Sequence, residues 1–425
     1  MTRPTRRASP CPSSPVEQLP EVTVPEPRSP DNPRPVLGRR SAMQFIVLLG
    51  VVSLLADVTY EGARSSTGPF LAVLGASAAV VGFAAGLGEL LGYGVRLLFG
   101  IIADRTGRYW LLTILGYGVN LLAVPLLALA GAWPVAVALM IAERVGKGMR
   151  TPARDAMLSQ ATSQVGRGWG FALHEALDQT GAVTGPLLMA AAVHARGDYR
   201  AGFALLLIPA VLTLVVLTVA RVLFPRPEHF EATTAAPPID ERLPSAFWMY
   251  LVAMALLAAG FADFPLVAYH LKRAAITSDT GIPLLYALAM GVDAVAALIL
   301  GRLYDRKGFA TLVGATVLSA AFAPLAFLGG PTLAVAGVLC WAVGMGAQES
   351  IIRAAIAGMV PSTRRASAYG TFNAVFGVAW FAGSALMGVL YEMSVAALVV
   401  FSVAIQLGCA GVLLYLGRSR GMAGG

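Results

Sequence analysis

The chain is short of charge. Only 13% of its 425 residues are Asp, Glu, Lys or Arg, where a soluble domain carries about a quarter. That shortage argues against reading the length as two or three soluble domains. Cysteine is scarce as well: Cys11, Cys340 and Cys409 are scattered, with neither metal-ligand spacing nor a disulfide framework. No G-x-x-x-x-G-K-[ST] run occurs and no polar stretch is long enough for a nucleotide-binding domain, which argues against direct ATP drive. No Ser/His/Asp set marks an enzyme, so neither a cofactor nor a metal is expected. Alternating period-2 segments, the mark of a membrane β-barrel, are not seen.

What the chain has in quantity is apolar sequence, 57% of its residues, with a mean hydropathy of +0.72. Stretches of around 20 apolar residues, each long enough to cross a hydrocarbon core roughly 30 Å thick, recur from Ala42 to Leu416. Helices satisfy their own backbone hydrogen bonds in lipid, so the pattern predicts an all-α polytopic membrane protein. Twelve spans are expected, near 43–72, 78–100, 110–130, 134–158, 168–193, 202–224, 246–271, 282–302, 309–328, 332–358, 368–390 and 395–416.

The net charge of +8 is read through the positive-inside rule rather than as a nucleic-acid footprint. With a cytoplasmic N-terminus, the outer side holds only Arg64, Arg196, Arg200, Lys272 and Arg273, and Arg96 lies inside span 2. Twelve spans then place both termini in the cytoplasm. Residues 1–40, with ten prolines and seven arginines, read as a disordered cytoplasmic tail rather than a signal peptide, because no apolar core follows the early arginines. The longest link, rich in Pro, Glu and Arg, divides the chain six plus six. The expected organisation is a bundle over 41–224, a cytoplasmic linker over 225–245, a second bundle over 246–417 and a tail over 418–425.

The halves repeat. "GIIADRTGR" (100–108) matches "GRLYDRKGF" (301–309), so Asp104 and Asp305 are 201 residues apart; Arg154 and Arg353 are 199 apart, and Gly185 and Gly383 are 198 apart. Such parallel repeats, related by a pseudo-twofold axis, place a substrate site between the halves near the bilayer midplane.

Inside this apolar chain, "AERVGKGMRTPARD" (142–155) carries four cations and two acids. From Pro134 to Arg144 is about 15 Å of helix, half the hydrocarbon thickness, so Arg144 is expected near the midplane. Glu143, Lys147, Arg150 and Arg154 fall at i, i+4, i+7 and i+11, one helical stripe. A charge at the bilayer centre costs about 2.5–3.5 kcal/mol on insertion scales, so the stripe is expected to face water, substrate or countercharge; for Arg150 and Arg154, snorkelling to the membrane surface is the alternative. Countercharges are available: Asp57 and Glu61 one turn apart in span 1, Asp263 in span 7, and Gln348, Glu349 and Arg353 in span 10. Asp57 and Glu61 read either as substrate or proton groups or as static partners of Arg144 or Lys147. Glu89 and Arg96 share a face of span 2, and His174 and Asp178, at i and i+4 in span 5, are expected to face each other as a titratable pair or a packing bond. Asp293 stands alone in span 8. Gly181 and Gly185 read as small-residue packing, and Pro186 removes a backbone donor from span 5.

"GIIADRTGR" resembles the loop signature between helices 2 and 3 of the major facilitator superfamily, and "GRLYDRKGF" its weaker copy between helices 8 and 9. "RVGKG" (144–148) resembles that family's Arg-x-x-x-Gly motif in helix 4. "GAVTGP" (181–186) resembles the helix-5 motif of its drug and proton antiporter branch, though it continues Leu-Leu-Met without the closing glycine pair. "GKGMRTPARD" with "HEALDQTGA" looks like a bacterial branch of mostly uncharacterised members. The resemblance implies two six-helix bundles that rock about a central site, with helices 1, 4, 7 and 10 lining the cavity. It makes Gly100, Asp104, Arg105, Gly107 and Arg108, with Asp305 and Arg306, a cytoplasmic latch. The resulting expectation is a secondary transporter of the bacterial inner membrane, acting as a monomer in the lipid bilayer and exporting a small-molecule substrate with protons as coupling ion. Uptake, or a non-transporting receptor or scaffold, are the alternatives. Asp104→Asn should insert and fold yet transport poorly, with its conformational equilibrium shifted; wild-type flux at equal abundance would remove the gating role.

Overall fold

The computed structural model describes residues 38–226, 243–360 and 365–421. The N-terminal tail up to residue 37, most of the 225–245 linker and the last four residues of the C-terminal tail lie outside them. Among the described residues there are twelve membrane-length helices and no strand: α1 (Arg39–Val73), α2 (Ala78–Thr106), α3 (Tyr109–Leu129), α4 (Trp133–Thr162), α5 (Arg167–Arg196), α6 (Tyr199–Leu223), α7 (Ser245–Arg273), α8 (Gly281–Lys307), α9 (Phe309–Leu328), α10 (Pro331–Met359), α11 (Arg365–Met393) and α12 (Val395–Gly421). Ten are long and apolar enough to cross a membrane; the two that fall short, α4 and α5, carry polar and charged groups along their length.

Helix ends follow local chemistry. The Ser77 hydroxyl accepts from the Val80 N–H to start α2, and Gly107, at φ +63°, ends it with its N–H on the Ala103 carbonyl. Prolines open α4 and α10, where no backbone donor is needed. Helix α5 runs unbroken through Pro186. Leu111, Leu115, Val119, Leu122 and Leu126 form an exposed apolar stripe along α3, and Leu207, Val211, Val215, Val219 and Val222 form another along α6. Both are faces for hydrocarbon.

The expected span 7 is present as Ser245–Arg273, and within it α7 is broken at Phe261–Asp263. Neighbouring side chains answer backbone groups that the break frees. Ser402 Oγ (2.6 Å) and Gln406 Nε2 (3.2 Å) donate to the Gly260 carbonyl, Trp341 Nε1 donates to that of Ala262 (2.9 Å), and Asp263 Oδ1 accepts the Phe264 N–H (2.9 Å). In a membrane such a break survives only when the surrounding protein satisfies it.

The sequence repeat has a structural counterpart. Gly185 of α5 lies against the Val58 carbonyl of α1 with no room for a Cβ, and Gly383 of α11 lies in the same way against Ala259 of α7. Each pair belongs to one half. Between the halves, α1 packs on α7, α2 on α11 and α5 on α8. The tight cross-half contacts gather at the α1–α2 end: Gly68 on the Pro265 carbonyl, Gly82 on Ser384 and Gly388, and Gly86 on Phe381. There too Glu392 Oε1 accepts the Ala78 N–H (2.5 Å) and the Tyr269 hydroxyl donates to the Ala76 carbonyl (3.2 Å). The protein is sealed at this end. A Leu at Gly82 should therefore weaken the sealed state and raise the reactivity of a Thr67→Cys thiol to a membrane-impermeant reagent, while Gly185→Leu should lower thermal stability instead, by the roughly 1–3 kcal/mol typical of overpacking. Equal thiol reactivity in wild type and Gly82→Leu would show that this glycine does not hold the seal.

Candidate functional site

Tyr60, on the inner face of α1, is the hub of the interior charges. Its hydroxyl accepts from Arg64 Nη1 (3.3 Å) and from Arg144 Nη1 of α4. Its ring faces the Lys147 ammonium at 3.5 Å and the Arg144 guanidinium at 4.9 Å, within cation–π range. Arg144 also reaches Glu89 of α2 (3.1 Å) and its neighbour Glu143 (3.6 Å). A cavity of about 30 Å³ beside Arg64, Arg144, Glu143 and Thr67 has room for about one water.

Two links cross from this cluster to the other half. Arg64 Nη2 lies 2.7 Å from Asp263 Oδ1 and 3.8 Å from Glu89. The Tyr286 hydroxyl of α8 donates to Glu61 Oε2 at 2.6 Å. Arg64 and Asp263 are 199 residues apart, the same offset that separates Arg154 from Arg353. They are repeat-equivalent residues, and equivalent residues that touch must sit by the pseudo-twofold axis. Asp263 reaches the axis because the break in α7 makes it the N-cap of the following helical segment.

Arg64 is corrected from an outer-side charge to a buried member of the site, its side chain 11% exposed. Sequence reasoning missed it, although a signal existed: Asp57, Glu61 and Arg64 at i, i+4 and i+7 share one helix face, and Asp263 lies one repeat away. Asn120, Tyr60 and Tyr286 were missed without such a signal, since uncharged polar residues do not stand out in a membrane helix.

The charged stripe on α4 is shared between two neighbours: Arg144 and Lys147 meet Tyr60 of α1, whereas Glu143 and Arg150 bind Asn120 and Tyr117 of α3. Asn120 Nδ2 donates to Glu143 Oε1 (2.7 Å) and to its carbonyl (3.0 Å). Arg150, only 1% exposed, donates to the Tyr117 hydroxyl (2.9 Å) and stacks 4.2 Å over that ring. It neither lines a cavity nor snorkels. Arg154 does not run to the surface either: it pairs with Asp155 (2.8 Å) and donates to Ser53 of α1 (2.9 Å).

His174 faces Ser53 rather than Asp178, with Nε2 at 3.0 Å from that hydroxyl. Asp178 is within electrostatic range of Asp57, and Asp178 Oδ1 has no hydrogen-bond partner among the described residues. Asp57 and Glu61 make no ion pair with Arg144 or Lys147 among the described residues. Arg96 lies over Tyr93 (5.6 Å) and makes no ion pair with Glu89 among the described residues. Asp293, expected alone, is buried and interacts with Glu349 of α10, which Gln179 of α5 approaches at 3.5 Å. The Arg353 side chain lies outside the described residues. Asp104, Arg105 and Arg108 are exposed beside Gly107, as are Asp305 and Arg306, and among the described residues Asp104 makes no ion pair. Gly100 lies against Pro152 of α4 at an ordinary 3.7 Å.

The architecture agrees with the comparisons to known proteins. The profile of the Major Facilitator Superfamily matches residues 41–384. The chain belongs to that superfamily and is a multi-pass membrane transporter. An uncharacterized protein of Mycobacterium tuberculosis is 45% identical over 380 residues, covering 88% of this chain and 92% of its own. An uncharacterized MFS-type transporter of Methanocaldococcus jannaschii is 30% identical over 149 residues, 35% of this chain and 37% of its own. Among solved structures, a POT family transporter in complex with 5-aminolevulinic acid superposes with a TM-score of 0.72 at 14% identity, covering 88% of this chain and 95% of that one. A mutant of the nucleoside transporter NupG superposes with a TM-score of 0.68 at 13% identity, covering 88% and 98%. At such identities the likeness is one of fold.

The bridge on the axis generates a stability test. Arg64→Met leaves Asp263 buried without its cation and should cost about 3–5 kcal/mol. Adding Asp263→Asn should recover most of that, because Asn still caps the Phe264 N–H. Melting of the purified variants reads the difference; equal melting of the single and double variants would show that the charge pairing is not what holds these residues.

Proposed function

We propose that the protein is a proton-coupled secondary transporter that exports a small organic solute by alternating access. The observation that carries this reading is an excess of interior carboxyl groups at the joint between the halves. Around Tyr60, Asp57, Glu61, Glu89 and Asp263 outnumber Arg64, Arg144 and Lys147. A surplus carboxyl in the membrane needs a proton or another cation. Glu61 is bound by Tyr286 of the other half, so a rocking motion that parts the halves breaks this hydrogen bond and changes the carboxyl's affinity for a proton. That change with conformation is the physical requirement of coupling.

The sealed α1–α2 end faces the periplasm in this reading and both termini face the cytoplasm, in keeping with the distribution of Lys and Arg. The Asp104 and Asp305 loops then lie on the cytoplasmic side, and an exposed Asp104 suits a latch that is released while the opposite end is sealed. Export is supported by the helix-5 run Gly181–Pro186, which resembles the antiporter motif. The transporter works as a monomer in the bacterial inner membrane.

Asp57→Asn and Glu61→Gln should each abolish proton-driven accumulation, with downhill exchange kept by Glu61→Gln and weakened by Asp57→Asn. Flux into proteoliposomes, with and without an imposed pH gradient, is the measurement. If both variants still concentrate solute, the proton site lies elsewhere.

A further inference from the structure

Most interior charges are already answered by the protein. Arg64 has Asp263, Arg144 has Glu89 and Glu143, Arg150 has Tyr117, and Arg154 has Asp155 and Ser53. Glu61 has Tyr286. Among the described residues Arg150 (Nε), Arg64 (Nε) and Asp263 (Oδ2) keep one unpartnered atom each, and three further groups are met less well still. Lys147 meets the ring of Tyr60, and among the described residues no carboxylate comes within ion-pair distance of its Nζ. Asp57 is 7% exposed and accepts no hydrogen bond among the described residues, and the Oδ1 of Asp178 has no partner.

These three are neighbours. The charges that act on Asp57 are Asp178, Lys147, Glu61 and Arg150; α5 packs so closely here that a Cβ on Gly181, one turn from Asp178, would lie 3.1 Å from the Asp57 Cβ, and Lys147 sits on the ring of Tyr60, one turn from Asp57. One ammonium with unfilled donors thus stands beside two carboxyls with unfilled acceptors. Leaving such groups unbonded in a low-dielectric interior is costly, and so is placing two carboxylates side by side. A single small ligand can answer all three. Its ammonium would lie between Asp57 and Asp178 and remove their repulsion; its carboxylate would take the Lys147 donors. A simple anion would leave the carboxyl pair unanswered, and a simple cation would leave the lysine unanswered.

We propose that Asp57, Asp178 and Lys147 form the recognition site for a small zwitterion of the amino-acid type, the two carboxylates taking its ammonium and the lysine its carboxylate. The assignment rests on the transporter reading and names the class of solute that this reading requires. A site built to bond a polar group rejects an analogue that lacks it, so both charged ends should be needed together.

The test uses the full chain purified into lipid nanodiscs, with the common L-amino acids, their methyl esters and their N-acetyl derivatives as probes. At least one amino acid should raise the melting temperature and bind, with its ester and its N-acetyl form weaker by about tenfold or more. Lys147→Met should weaken the amino acid and narrow its advantage over the ester. Asp57→Asn should narrow its advantage over the N-acetyl form. The wild-type comparison stands even if a variant fails to fold. The proposal is overturned if an ester or N-acetyl form binds as tightly as its parent, or if no amino acid binds. Flux separates the two readings: selective binding without flux in proteoliposomes would keep the site and remove transport, whereas flux of a solute bearing only one of the two charges would keep transport and remove this site.

Discussion

A hydrocarbon core holds no water to answer a charge, so each charged group placed there must be met by another part of the protein. The Arg64–Asp263 bridge is where that constraint bears hardest. It joins repeat-equivalent residues of the two halves beside the pseudo-twofold axis, at 2.7 Å. For Asp263 to reach the axis α7 must break, and for α7 to break in a membrane its carbonyls must find donors. Trp341, Ser402 and Gln406 supply them from α10 and α12. The tightly packed glycines of the α1–α2 end then hold the halves close enough for the bridge to form.

The same constraint sorts the other interior charges into two kinds. Glu143 and Arg150 are turned toward α3, where Asn120 and Tyr117 bind them. They fix α4 within its own half. Arg144 and Lys147, on the adjoining face, look across Tyr60 toward α1 and the joint between the halves. One helix therefore carries both an anchor within its own half and a face turned to the joint.

Glycine divides the motion in a similar way. Gly181 and Gly185 lock α5 to α1, and Gly383 locks α11 to α7, each within one half. Gly68, Gly82 and Gly86 make equally close contacts between halves, but at one end alone. Rigid halves with a seam that closes at one end are what rocking about a central site needs.

The sequence by itself determined the class of protein and the outline of the site. Apolar stretches of membrane length, the Lys and Arg asymmetry and the 198–201-residue repeat predicted a duplicated twelve-helix bundle, because hydropathy and period are properties of the chain along one dimension. Charges in the middle of such stretches stand out for the same reason, so Glu61, Glu89, Glu143, Arg144 and Asp263 were all visible as site candidates. Tertiary structure alone decided which of them meet. Arg150 and Arg144 lie on one helix, six residues apart, yet one is sealed against α3 and the other faces the joint. His174 chose Ser53 of another helix over Asp178 one turn away. Arg64, which reads as an outer charge, is the cation that closes the axis. Each outcome depends on the angle at which a helix is rotated against its neighbours, and that angle is set by close backbone packing at Gly116, Gly146, Gly181 and Gly185, contacts between segments far apart in the chain that no local pattern records.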